Sequence, residues 1–274
     1  ADKLFVVVIG TGGTIAMSHL GPHGELTPDI GFEEMMRQIS PRLGEQFTIM
    51  GRDFFKTDSS QLEIDDVGDM AMAMYYIWKH MKPSLRKRFA GFLVPHGTDT
   101  MPKSGVHLEM MFGQNMPFNI VHTGGQKPII DLWTDSGINL VHALLMLKML
   151  YLNGCAESVS VMGGKALLTC GMQKISDIHA EAMKTFMHHD VVDFIQAHDP
   201  DKYRLPHWLR RKPFYKKTGQ FCPVIYRGPN RIEEINAEMQ DDPRAIMTKI
   251  RLGSRLAIVL VTYGASTFDQ KIVN

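Results

Sequence analysis

Apolar positions along the chain fall into two alternating kinds of segment. Short runs rich in β-branched residues predict strands at Leu4–Ile9, Phe47–Arg52, Phe89–Val94, Phe118–His122 and Ser158–Met162. Longer stretches with apolar residues at helical spacing predict helices at Phe32–Ile39, Glu63–Met81, Lys103–Asn115 and Gly137–Leu152. Strand–helix alternation of this kind predicts an α/β fold with a mostly parallel sheet and crossover helices. Ligands of such open sheets bind beyond the carboxyl ends of the strands, so the loops there are where chemistry is sought.

From about Gln196 the pattern dissolves into "AHDPDKYRLPHWLRRKPFYKK", rich in charge, proline and aromatics, which reads as a linker or surface excursion. Beyond it, "QFCPVIYRG" and "LAIVLVTYG" predict two strands flanking a helix near Arg231–Ile250. The expected division is an N-terminal domain over 1–195, a linker over 196–220 and a partial C-terminal α/β domain over 221–274.

Composition narrows the class. With 44% apolar residues the chain can bury a sizeable core. Thirty basic against 29 acidic residues leave a net charge of +1, which argues against general attraction to nucleic acid or a membrane surface. The basic-aromatic run "LRRKPFYKK" is then a solvated face. No apolar run approaches the roughly 18 residues of a membrane span. Cys155, Cys170 and Cys222 are widely spaced and odd in number, which favours reduced thiols and a cytoplasmic setting. The many methionines, clustered in "DMAMAMYYIWKHM" and "LLMLKML", read as helix-core filler. His188, His189, Asp190, Asp193, His198 and Asp199 suggest metal ligands at first sight. Only His189 and Asp193 share an i, i+4 helical face, so a solvated surface is the simpler reading.

The loops carry the candidate chemistry. Gly10-Thr11-Gly12-Gly13-Thr14-Ile15 follows the first strand but breaks the dinucleotide fingerprint, whose third glycine position falls on Ile15 and whose ribose-binding acid is missing. A Gly-rich turn carrying two threonines remains, suited to holding a hydroxyl beside a substrate. The third strand ends in "VPHGTDTMPKSG". Thr98 and Asp99 there either cap the next helix or belong to a polar site. "KTDSSQ" and "HTGGQKP" end the second and fourth strands, so four successive loops offer hydroxyls, amides or carboxylates to one pocket.

Taken together, Thr11-Gly12-Gly13-Thr14-Ile15, Asp58-Ser59-Ser60, His96-Gly97-Thr98-Asp99-Thr100-Met101 and Trp133-Thr134-Asp135 with Asn139-Leu140 resemble the L-asparaginase family in order and spacing, nearest its cytosolic, type I-like branch. The resemblance covers Phe5 to about Met183. It implies a doubly wound, flavodoxin-like N-terminal domain with a smaller, incomplete C-terminal α/β domain. It further implies a threonine amidohydrolase without metal or cofactor, converting L-asparagine to L-aspartate and ammonia as a homodimer or homotetramer. Thr14 matches the nucleophile that forms the acyl-enzyme. Thr98, Asp99 and Lys174 match the group that activates nucleophile or water. Ser59 and Ser60 match the positions that hold the substrate α-carboxylate, Asp99 also pairs with its α-ammonium, and the Gly125 carbonyl matches the one that meets the leaving amide.

Some positions depart from the family pattern. Met17–Pro28 contains no Tyr, Gln61 stands where an acid is usual, Ser136 replaces a Gly, and the Arg-Gly pair before the catalytic Lys is missing. These departures leave two other expectations beside the enzyme: an impaired relative that binds an acidic amino acid or its amide, and an amidotransferase subunit that releases ammonia to a partner. The second would call for a tRNA-contacting domain.

Overall fold

The structure is a computed structural model and describes residues 2–18, 27–37, 41–113, 116–185, 190–194, 199, 203–206, 209, 232–236 and 257–261. In chain order, β1 is Leu4–Gly12, α1 Phe32–Arg37, α2 Pro41–Gly44, β2 Phe47–Thr57, α3 Ile64–His80, α4 Pro83–Arg86, β3 Phe89–Pro95 and α5 Met101–Phe112. Then come β4 Ile120–Thr123, α6 Ser136–Leu152, β5 Ser158–Met162, β6 Lys165–Leu168, β7 Met172–Lys174, β8 Met183–Thr185, β9 Val192–Asp193, β10 Ile232–Asn236 and β11 Ala257–Val261.

Seven strands form one sheet in the order β2-β1-β3-β4-β5-β6-β9. The first five are parallel, with Val6 opposite both Ile49 and Gly91, and Val121 opposite Val159. β6 and β9 add antiparallel strands at the far edge. This is the expected α/β architecture. The chain leaves β1 to form β2 on one side and β3 on the other, so the strand order reverses beside β1, where such sheets open a ligand crevice.

The central strands are apolar without alternation because both faces are covered. Val6, Val8, Leu93, Val121 and Val159 have no exposed surface and pack with Leu140, Leu144, Met146, Leu147 and Met149 of α6. The methionines read as filler behave so: Met70, Met74, Met101 and Met111 are also fully or almost fully buried. A second cluster stacks Phe92 edge-on to Phe118 at 4.9 Å, with Phe89, Phe112 and Trp78 around them.

Several boundaries differ from expectation for local reasons. β1 continues through Gly12 because β2 runs on beside it, Gly12 pairing with Thr57 after a register shift. The turn therefore begins at Gly13, later than the glycine pattern suggested. α5 starts two residues before the expected Lys103, since Pro102 is tolerated in a first turn. α3 keeps to its stripe, burying Val67, Met70, Ala71, Met74, Tyr75 and Trp78, and the Glu63 N–H donates to Asp66 Oδ2 at 2.8 Å in a capping box.

The chain separates into two compact units, Ala1–Val224 and Ile225–Asn274. Within the stretch read as linker, Leu205 and Leu209 are buried in the core of the first unit. In the second unit β10 and β11 pair in parallel, Ile232 opposite Ala257 through Asn236 opposite Val261. β10 occupies the start of the span expected to be helical. Its Glu and Asn residues favour no strand by themselves, and pairing with the β-branched run of β11 overrides that weak preference. The rest of that span and "QFCPVIYRG" lie outside the described residues, as do His188, His189 and His198.

Candidate active site

Three loops converge at the carboxyl ends of β1, β2 and β3, and the first and third meet backbone on backbone. Gly13, at φ 76°, precedes a single 3-10 turn, Thr14–Ala16. A methyl group placed on Gly13 would lie 2.3 Å from Gly97 Cα, so only glycine allows the first and third loops to meet there. A methyl group on Gly97 would in turn lie 2.4 Å from Ser59 Oγ of the second loop. Two side-chain bonds tie the loops further: Thr11 Oγ1 donates to the Pro95 carbonyl at 3.0 Å, and Thr100 Oγ1 to the Ser59 carbonyl at 2.8 Å.

This packing sets where the candidate residues stand. Thr14 is half-buried, one residue from the Gly13–Gly97 contact, and Thr98 is buried one residue beyond it. Ser59 is buried at the start of the 3-10 turn Ser59–Gln61, whereas Ser60 is exposed. The Ser60 amide and hydroxyl both donate to Asp58 Oδ1 at 2.9 Å.

Asp99 does not cap the helix behind it. The cap position of α5 falls on Thr100, which makes no side-chain cap bond. The Asp99 carboxylate instead accepts from Lys174 Nζ at 2.5 Å. Lys174 stands at the end of β7, and a second carboxylate, Asp177, reaches the same nitrogen at 2.7 Å. Burial alone would lower the Lys174 ammonium, but the hydrogen bonds and charges of Asp177 and Asp99 outweigh it and hold the group above its ordinary range. Asp177 is a residue the sequence pattern does not single out. Its signal is a second acid three residues after a candidate lysine, which is ordinary in a polar loop.

The fourth loop is organised from α6. Asp135 accepts from the Gln126 amide at 3.0 Å, the Lys127 amide at 3.1 Å and Asn139 Nδ2 at 3.1 Å. Asn139 Nδ2 also donates to the Gly124 carbonyl at 2.9 Å, and its Oδ1 accepts from the Gly163 amide at 3.1 Å. Ser136 Oγ donates to the Lys127 carbonyl at 2.5 Å and fills the space a methyl group on Gly125 would take. Gly125, the candidate for the leaving amide, is buried on this braced segment. Gly124 lies against the His96 carbonyl and the Thr98 methyl, which joins the fourth loop to the third.

Behind the loops, His96 and His122 are completely buried. Burial lowers both, His122 to about 3 with the charge of His96 adding to the effect, so both rings are neutral at pH 7. His96 Nδ1 is 2.8 Å from the Gly97 carbonyl and, in the neutral ring, donates to it. Among the described residues no group of three or more His, Cys, Asp or Glu is placed to hold a metal, and no helix is long and apolar enough to cross a membrane.

The 60 kDa lysophospholipase of Mus musculus is 30% identical over 156 residues, which cover 52% of this chain and 27% of that protein. L-asparaginase 1 of Escherichia coli is 27% identical over 149 residues, 52% of this chain and 40% of that protein. The matched part thus spans well under two thirds of either relative. In fold, the thermostable L-asparaginase from Thermococcus kodakarensis superposes with a TM-score of 0.68 at 21% identity, over 97% of this chain and 73% of that one. The family model described as "Asparaginase, N-terminal" matches residues 5–204. That stretch contains every one of the converging loops, and by it the chain belongs to the asparaginase family.

Proposed function

We propose that the chain hydrolyses L-asparagine to L-aspartate and ammonia through a Thr14 acyl-enzyme. The observation that carries this reading is the convergence of the Thr14, Ser59 and Thr98 loops on one point, with the Lys174–Asp99 ion pair beside it. In the first half-reaction Thr14 Oγ1 bonds the side-chain carboxamide carbon and gives up its proton to the Thr98 hydroxyl, which passes its own on towards the amide nitrogen. The carbon–nitrogen bond then breaks, and the departing nitrogen takes a proton to leave as ammonia. In the second, water attacks the ester, and Thr14 recovers its proton as aspartate leaves.

Lys174, held as an ammonium, acts here as a fixed positive charge rather than as a base. With Asp99 it orients the Thr98 hydroxyl, the second hydroxyl of the reaction. Ser59 and Ser60 take the substrate α-carboxylate, and Asp99 takes its α-ammonium, opposite charges in a small pocket. Ser60 must release Asp58 to do so. The Gly125 carbonyl accepts from the leaving amide. The reaction needs no metal or cofactor, and the assembly in which it runs is a cytoplasmic homodimer or homotetramer.

Ammonia release from L-asparagine by the purified chain tests the reading. Thr14→Ala is expected to abolish release while L-aspartate still binds, as isothermal titration would record. A parent chain that binds aspartate but releases no ammonia would establish a binding protein instead. Release that survives Thr14→Ala would remove Thr14 as nucleophile.

A further inference from the structure

The turn that follows β7 holds a residue the hydrolytic reading leaves without a role. Asp177 lies three residues beyond Lys174, with its side chain 87% exposed, yet its carboxylate oxygen is 2.7 Å from the largely shielded Lys174 nitrogen. Exposed acids normally gain little from such a pair, because ordering the side chain offsets the attraction. Here the backbone supplies the order. The Ile175 amide donates to the Ala182 carbonyl at 2.7 Å, closing the turn over the β7–β8 pair. Inside it, Ser176 Oγ accepts from the Ile178 and His179 amides at 3.2 and 3.1 Å. The Ser176 carbonyl accepts from Gln126 Nε2 at 3.1 Å, which anchors the turn to the fourth loop.

Asp177 is thus presented to Lys174 from a frame fixed at three points. Two carboxylates on two different loops share one ammonium, and the trio carries a net charge of −1. On the elements packed against β7, α5 carries Lys103, His107 and Glu109, and β8 carries Lys184. The charges that move Lys174 are those of Asp177 and Asp99.

We propose that Asp177 is a positioning residue: it steers the Lys174 ammonium onto Asp99 and keeps it charged through turnover. It does not touch the substrate. Its action runs through Lys174, and it couples the 175–182 turn, and through Gln126 the fourth loop, to the catalytic pair. The inference rests on the asparaginase reading for its catalytic meaning, but the hold of Asp177 on Lys174 is measurable without it.

The test compares the full chain with Asp177→Asn and Asp177→Glu. Competitive acetylation of Lys174 with acetic anhydride, followed by peptide mapping across pH, reports its titration whether or not the protein is active. Removing one carboxylate leaves burial less opposed, so Lys174 is expected to titrate at lower pH in Asp177→Asn and to return towards the parent in Asp177→Glu. Ammonia release from L-asparagine gives the second readout: the alkaline limb of kcat is expected to move to lower pH in Asp177→Asn, again with recovery in Asp177→Glu. Lys174 titration identical in parent and Asp177→Asn overturns the inference, as does a shifted titration with an unmoved alkaline limb. A shifted titration in a parent that releases no ammonia overturns the asparaginase reading and leaves the Asp177–Lys174 coupling standing.

Discussion

The buried histidines show what single residues cost and contribute. His122, lowered to about 3, and His107, lowered to about 4, are neutral in the fold and free to protonate once it opens. Burial is the main cause in both, with the positive charge of Lys103 adding to it at His107. The unfolded chain, with histidines near their ordinary 6.5, therefore binds more protons below that pH than the folded one. The stability these residues support is complete above about pH 6.5 and is lost as pH falls towards 3 to 4, by up to about 1.4 kcal/mol per pH unit for each. Urea unfolding between pH 7 and 4 is expected to show that slope, and His107→Gln to flatten it. His96 and Thr98 illustrate what a sequence reveals at this scale. "HGTDTM" announced a polar cluster, but the depth of His96 and the partner of Asp99 depend on residues far along the chain that no local pattern names.

At the scale of elements, the fourth loop owes its shape to one carboxylate. Asp135 gathers two backbone amides and the Asn139 side chain, charge-assisted bonds worth about 1.5 to 3 kcal/mol apiece before solvent exposure is discounted. Asp135→Ala is expected to lower stability by about 2 kcal/mol in chemical denaturation. It should also depress ammonia release far more than aspartate binding, because it loosens the segment carrying Gly125. The same scale marks how far the pattern could be read. The central parallel strands and the long helices stood out because both faces of the sheet there and one stripe of α3 are continuous apolar signals. β6 did not, although Gly163-Gly164, at φ 60° and 79°, made the two-residue turn that folds it back on β5. Strands of two to four residues, such as β7, β8 and β9, are too short to carry a period. They form because the larger sheet and the hairpin ladder offer them partners, which is information held outside the segment.

For the whole molecule, the described residues of the seven-stranded sheet and its core belong to the first compact unit. A chain ended at Val224 is therefore expected to unfold in one cooperative transition, with a thermal midpoint within a few degrees of the first transition of the full chain, by calorimetry. Loss of cooperativity would show that Ile225–Asn274 is needed to complete the fold. The candidate site, lying on the loops of that first unit, inherits its precision from the sheet. The β1–β2 and β1–β3 registers decide which glycines face each other, and the glycines decide how closely Thr14 and Thr98 approach.

That arrangement divides the site into parts that can and cannot change. Gly13 and Gly97 touch through their backbones, so no larger residue enters without parting the loops and the hydroxyls they carry. The turn over 175–182 is different: Ile175 and Ile178 point outward, and their replacement disturbs no packed core. Adaptation of this site to a new ligand would thus run through the rim beside Lys174, with the glycine floor unchanged.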